Sequence, residues 1–132
     1  MKYNILLALS FLSFITYVGC KDTVTAEDVS KRTIPSSNVS YNKDLQPVLD
    51  LYCNTSKCHD DNSRAGGLSF TSYQNTTSDP TVVVKGYPDN SRLIWVIQPG
   101  ASNPMPPINY PPLNQNQIAG FTTWIKEGAK PN

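Results

Sequence analysis

Apolar residues follow a helical period at two places in the chain. The first set recurs at intervals of three and four positions: Leu45, Val48, Leu49 and Tyr52. This spacing predicts a short helix with one buried face. Proline is tolerated only in the first turn of a helix, so we expect the regular helix to begin near Pro47, after a looser turn at residues 42–46.

The second apolar stripe lies near the end of the chain, at Ile118, Phe121, Trp124 and Ile125. Asn114 is placed to cap this helix, Gln117 occupies the capping-box position, and Gly128 is placed to end it. Between the two stripes, the run 93–97 after Ser91 fits either a short helix or a buried strand. Most of the remaining chain from residue 40 onward is turn-rich loop, and we treat residues 40–132 as the folded unit.

The first residues have the pattern of an export signal. Lys2 precedes an apolar run over residues 5–18, which as a helix would rise about 21 Å and is therefore short of a membrane span. The sequence Tyr17-Val18-Gly19-Cys20 resembles the lipobox of bacterial lipoproteins, in which the cysteine is acylated and becomes the new N-terminus. We therefore expect a signal peptide at residues 1–19 and a lipid on Cys20; the alternative is an ordinary signal with an incidental cysteine.

Residues 20–39 are polar and show no apolar periodicity, which predicts a flexible tether between a lipid anchor and the folded unit. This arrangement would place the protein in the bacterial cell envelope, on the periplasmic or the outer face, with the membrane as a partner through the anchor.

The length, charge and residue counts of the chain exclude several classes of function. The chain has 132 residues, which is room for one domain. Its 11 Lys and Arg nearly balance 10 Asp and Glu, and a formal charge of +1 argues against a nucleic-acid partner. One histidine and three cysteines are too few for a metal cluster built from many such ligands.

The reactive side chains cluster directly after the first predicted helix. Cys53, Cys58 and His59, the one histidine of the chain, lie within seven residues. Covalent haem attachment uses two cysteine sulfurs and an adjoining imidazole, commonly as C-x-x-C-H; here four residues separate the cysteines. Three other chemistries fit the same residues: a Cys53–Cys58 disulfide, a zinc site completed by Asp60 or Asp61, and a catalytic dithiol.

Met105 is the second chemical signal. Once residues 1–19 are removed it is the single methionine, and it lies between prolines in a loop rather than on an apolar helical stripe. A core methionine is usually a gap-filler, whereas a thioether held in a stiff loop suits a distal haem ligand. Histidine–methionine ligation favours the ferrous state and raises the reduction potential, which is the setting for electron transfer.

Taken in order, the motifs of residues 41–129 resemble small c-type cytochrome domains of planctomycete-type and related bacterial exported proteins. The motifs are Leu45-Gln46-Pro47-Val48-Leu49, Cys58-His59, Gly66-Gly67-Leu68, Gly86-Tyr87-Pro88, Ser91-Arg92-Leu93, Met105-Pro106-Pro107, Trp124-Ile125 and Gly128-Ala129. The resemblance implies an all-α, cytochrome c-like fold, with about three short helices and long loops around one covalently bound haem c. It also implies thioethers at Cys53 and Cys58, His59 as proximal ligand and Met105 as distal ligand.

These implications favour a one-electron carrier over an enzyme, because filled axial positions leave none for oxygen or peroxide; the carrier could still be a subunit of a larger oxidoreductase. Its partners would be redox proteins of an exported electron-transport chain. A small domain also needs a staple for its core, and we expect bound haem to be covered by apolar side chains, at Leu68, Phe70, Leu93, Trp95 and Ile97. Two other functions stay open: a haem-free binding module stapled by a disulfide, and a haem sensor in which a small ligand displaces Met105.

Overall fold

The computed structural model describes residues 25–132, and this part of the chain contains five α-helices and no β-strand. The helices are α1 (Ala26–Lys31), α2 (Gln46–Tyr52), α3 (Tyr73–Thr76), α4 (Arg92–Ile97) and α5 (Gln115–Lys126). Within residues 25–132, no helix combines the length and the apolar character needed to cross a membrane. The all-α prediction is confirmed, whereas the expected signal peptide and Cys20 lie outside the described residues.

Helix α2 begins as its proline predicts. A π-helical turn at Tyr41–Leu45 leads into α2, and Pro47 lies in the first turn, where a missing backbone N–H leaves no helical bond unmade. The predicted apolar stripe is buried except at Tyr52, which is half-buried. The helix therefore presents one apolar face to the core and ends at the residue before Cys53.

Helix α5 forms the other side of the core. Both halves of its capping box are present: Gln117 N donates to Asn114 Oδ1 at 2.9 Å, and Asn114 N donates to Gln117 Oε1 at 2.9 Å. All four residues of its predicted stripe are buried. The ring of Trp124 packs on Tyr41, which joins α5 to the π-helical turn before α2, with ring centroids 5.3 Å apart.

The run after Ser91 is a helix, not a strand, but Ser91 does not cap it with its side chain. The hydroxyl of this fully buried serine donates to Tyr87 O and accepts from Val84 N instead. Ser91 therefore ties the preceding loop together, and α4 presents Leu93, Ile94 and Ile97 to the core.

The tether prediction for residues 20–39 is corrected here for residues 25–39, which pack on the domain. Helix α1 has a complete capping box at Thr25 and Asp28, and three apolar side chains of the segment are buried: Val29, Ile34 and Val39. Asn116 holds the backbone of Ile34 from both sides, accepting from its N–H at 2.7 Å and donating to its carbonyl at 3.0 Å. The apolar pattern gave no signal because the three side chains are five residues apart, in a segment that is mostly not helical.

Candidate functional site

The predicted attachment segment folds into a compact loop at the end of α2. Cys53 N donates to Leu49 O at 2.8 Å and so continues the helix, and His59 N donates to Cys53 O at 3.0 Å and closes the loop. Lys57, at the tip, adopts a left-handed backbone with φ of 72°, and its N–H donates to Ser63 Oγ at 2.9 Å. The longer spacing between the cysteines is thus accommodated by a turn with its own hydrogen bonds.

All four residues predicted to hold haem line one cavity of about 330 Å³: Cys53, Cys58, His59 and Met105. They come from the loop after α2 and from the proline-rich loop between α4 and α5. Most of the remaining wall is apolar, with side chains from Leu68, Phe70, Val82, Leu93, Val96 and Ile97. A volume of this size is within the range of small-molecule and cofactor sites.

One of the five predicted covering residues is misplaced. Leu68, Phe70, Leu93 and Ile97 line the cavity, but Trp95 does not. Its side chain is 54% exposed, and its indole N–H donates to Asp89 O at 2.6 Å. Helix residues two positions apart point about 200° apart, so α4 cannot turn Trp95 to the face that carries Leu93 and Ile97.

The two cysteines differ in their surroundings, and both are free thiols in this structure. Cys53 is buried, and this burial raises the pKa of its thiol to about 12, with the neighbouring Cys58 adding to the shift. Cys58 is half-buried. Among residues 25–132, no three His, Cys, Asp or Glu side chains lie close enough together to hold a metal ion, so the four-ligand arrangement of a zinc site is not assembled here.

His59 has one ring nitrogen without a polar partner among the described residues. Its Nδ1 is buried and has no hydrogen-bond partner within the described chain, which is a costly state for a polar atom. The imidazole lies against the ring of Phe70, with centroids 4.9 Å apart and planes at 59°. An imidazole that lines this largely apolar cavity would be able to bind an iron through its other ring nitrogen, Nε2.

Met105 is held by its backbone rather than by its side chain. Its N–H donates to Val96 O at 2.8 Å, which fixes the proline-rich loop to α4. The side chain lines the cavity, and the residue is 39% exposed, so it also forms part of the cavity mouth. A thioether in this position fits the second axial ligand of an iron whose first ligand is His59.

The segment after His59 is anchored by a carboxylate. Asp61 Oδ1 accepts hydrogen bonds from Ser69 Oγ at 2.7 Å, Thr71 Oγ1 at 2.9 Å and Asn75 Nδ2 at 3.1 Å. The bonds from Ser69 and Thr71 lower the pKa of Asp61 below its ordinary value. Asp60 accepts from Ser63 N, so both aspartates considered as zinc ligands serve the local fold instead.

Two cationic residues border the cavity, Lys57 and Arg92. The guanidinium of Arg92 lies 4.0 Å from Asp79 Oδ2 and 3.4 Å from Thr81 Oγ1, at the start of α4. The sequence pattern gave neither residue a role at the cavity and gave no sign of the Asp61 network. The networks join residues distant in the sequence, and single charged residues next to apolar runs carry no distinguishing pattern.

A family model described as Planctomycete cytochrome C matches residues 56–109 of the chain. The matched range includes Cys58, His59 and Met105 and begins three residues after Cys53. No curated protein and no solved structure shows significant similarity to the chain. The family match, the helical fold and the ordered motifs agree, and together they support a planctomycete-type cytochrome c domain in this chain.

Proposed function

We propose that this protein is a one-electron carrier with a single haem c attached through Cys53 and Cys58. The cytochrome c domain indicates electron transfer by a haem protein. The proposal adds to this that there is one haem, that it is attached covalently, and that His59 and Met105 are its iron ligands. The observation that carries it is the shared cavity, where two thiols, an unpartnered imidazole and a thioether line an otherwise largely apolar wall.

Each side chain has a distinct part in this proposal. Cys53 and Cys58 would hold the haem through thioether bonds, and His59 and Met105 would bind its iron. Bound haem would supply reversible one-electron chemistry between the ferric and ferrous states. A thioether ligand favours the ferrous state, and the apolar wall disfavours the additional positive charge of the ferric state; both raise the reduction potential.

The cavity mouth supports contact with a redox partner of low surface charge. No charged residue occurs between Arg92 and Lys126, and this stretch includes the whole loop that carries Met105. Two side chains of the loop are strongly exposed: Ile108 at 89% and Tyr110 at 55%. Docking on this loop would depend mainly on apolar contacts, and a strong response of its rate to salt would point instead to Lys57 and Arg92 at the cavity border.

The cellular part of the proposal rests on the sequence. Acylation of Cys20 after removal of residues 1–19 would anchor the domain in the bacterial cell envelope, with a redox protein of an exported electron-transport chain as partner. Replacement of Cys20 by Ser should release the protein from the membrane fraction. Retention of Cys20→Ser in that fraction would contradict the lipid anchor.

The site is tested by visible spectra of oxidised and dithionite-reduced protein, co-expressed with a c-type maturation system, and by a haem-stained denaturing gel. We expect sharp low-spin reduced bands and haem that stays with the denatured chain. Met105→Leu should abolish the sulfur-to-iron charge-transfer band and permit CO binding to the reduced protein. The matched control is Leu113→Met, which alters a buried residue outside the cavity wall.

Two outcomes would contradict the proposal. A colourless parent with a Cys53–Cys58 disulfide would favour the haem-free binding module. A haem-containing parent that binds CO at low concentration would favour a ligand sensor, because a carrier with a firmly bound Met105 has no open iron position.

A further inference from the structure

Phe70 is the aromatic residue in contact with His59, and it is attached to His59 through the backbone as well. The two ring centroids are 4.9 Å apart, and Phe70 is 6% exposed. Phe70 N donates to His59 O at 3.0 Å. The backbone bond fixes the main chain of Phe70 relative to that of His59, and the burial of the Phe70 side chain limits the rotation of its ring.

The backbone carbonyl of Phe70 is held by two side-chain amides. It accepts from Gln46 Nε2 at 3.0 Å and from Asn54 Nδ2 at 2.9 Å. Both amides also donate to Asp50 Oδ1, at 2.7 and 2.8 Å. We call Gln46, Asp50 and Asn54 the amide clamp. They are four residues apart and so share one face of α2 and of the turn that continues it.

The orientation of the imidazole has no polar support in the described chain. A metal-bound histidine usually donates its second ring N–H to an acceptor, and this bond sets the ring plane. His59 Nδ1 is buried without such a partner. Packing is the remaining restraint on the ring, and Phe70 provides it from a position fixed at both its N–H and its carbonyl.

We propose that Phe70, held by the amide clamp, is the positioning residue that sets the ring plane of His59. The inference deepens the proposed function and rests on it, since it takes His59 as an iron ligand. A change of ring plane alters the overlap of the imidazole with the iron d orbitals, and thereby the reduction potential and the magnetic anisotropy of ferric iron.

The test compares haem-loaded Phe70→Leu with Phe121→Leu. Phe121 is an equally buried core phenylalanine, but it does not line the cavity, so its replacement removes the same atoms from a different place. Readouts are the EPR spectrum of the ferric protein, the redox equilibrium against a mediator, and the melting temperature. We expect Phe70→Leu to change the EPR g values and to shift the redox equilibrium at least threefold, whereas Phe121→Leu lowers the melting temperature and leaves both unchanged.

A second pair of variants applies where Phe70→Leu fails to fold. Gln46→Met removes one donor of the clamp at a residue that does not line the cavity, and Gln115→Met makes the same change at an exposed residue of α5. We expect a smaller change of the g values in Gln46→Met and none in Gln115→Met. Phe70→Tyr keeps the aromatic ring and should retain the parent spectrum.

The outcomes separate this inference from the proposed function. A parent without covalent haem overturns the proposed function and this inference with it. A haem-loaded parent whose g values and redox equilibrium are unchanged in both Phe70→Leu and Gln46→Met overturns the positioning role alone. Equal changes in Phe70→Leu and Phe121→Leu also overturn it, because the effect would then be general to the core.

Discussion

Tyr41 packs with two other aromatic rings in the core. Its side chain is fully buried and packs against the rings of Tyr73 and Trp124, with centroids 5.4 and 5.3 Å away. Its hydroxyl bonds to Thr76 Oγ1 at 2.8 Å, which satisfies the one polar atom of the ring. Burial raises the pKa of Tyr41 to about 12 from its ordinary 10, because the charged phenolate would lose its hydration.

This raised pKa predicts alkaline destabilisation. Between about pH 10 and 12 the unfolded chain loses the Tyr41 proton while the folded protein keeps it, so this contribution to stability is complete below pH 10 and is lost as the pH rises to 12. Denaturant unfolding at pH 8 and 11 should show a smaller loss of stability in Tyr41→Phe than in the parent. Tyr87→Phe, at a 64% exposed tyrosine, serves as the control and should behave as the parent does. Equal losses of stability in the parent, Tyr41→Phe and Tyr87→Phe would show that ionisation of Tyr41 is not the cause.

At the scale of elements, the docking of residues 25–39 depends on a notch in α5. A Cβ built on Gly120 would lie 2.7 Å from Ile34 Cγ2, closer than real contacts allow. Ile34 is 3% exposed, so its side chain fills the space that the missing Cβ leaves. Glu127, which follows α5, adds polar contacts by accepting from Asn38 N and Val39 N.

The notch at Gly120 predicts that one substitution changes the free energy of unfolding in opposite directions in two backgrounds. Gly120→Ala should destabilise the protein by about 1 kcal/mol, because the clash with Ile34 exceeds the gain in helix propensity. In an Ile34→Ala background, the same substitution should be neutral or stabilising, since the space is free and only the propensity remains. Chemical denaturation of the four proteins of this cycle measures both effects. Additive free-energy changes would show that Ile34 does not occupy the notch.

At the scale of the whole molecule, the apolar cavity is part of the core. The domain is small, and its cavity is lined by Tyr52 and Cys53 at the end of α2 and by residues of α4 and of the Met105 loop. A small domain with such an apolar space gains stability from a group that fills it. Covalently attached haem would fill it and also link the cavity walls.

We therefore expect Cys53→Ser/Cys58→Ser to melt at a lower temperature and less cooperatively than the haem-loaded parent. A loss of about 2 kcal/mol would lower the melting temperature by roughly 10 °C in a domain of this size. Thermal unfolding followed by far-UV circular dichroism measures the change. Cys20→Ser, the same substitution outside the described domain, should leave the melting temperature unaltered. A cooperative transition of the double variant at the parent temperature would exclude haem from the core.

Local signals were sufficient to predict α2 and α5. The Asn114–Gln117 capping box and the proline in the first turn of α2 act within one turn of helix, so neighbouring residues contain the information. The run 93–97 stayed open between helix and strand because its periodicity fits both. Burial on one side, with Trp95 left exposed on the other, made it a helix in the folded protein.

The candidate site was likewise predictable only in part. Residue type and spacing alone indicated Cys53, Cys58 and His59, because adjacent residues along the chain form one attachment loop, and Met105 was indicated by its proline neighbours. Only the tertiary structure brought Met105 to the same cavity as His59, joined Phe70 to the amide clamp, and packed Ile34 into the notch at Gly120. The reactive residue types and the local conformation depend on neighbouring residues and can therefore be predicted from the sequence. Contacts between distant residues depend on shape and buried hydrogen bonds, which exist only once the chain has folded.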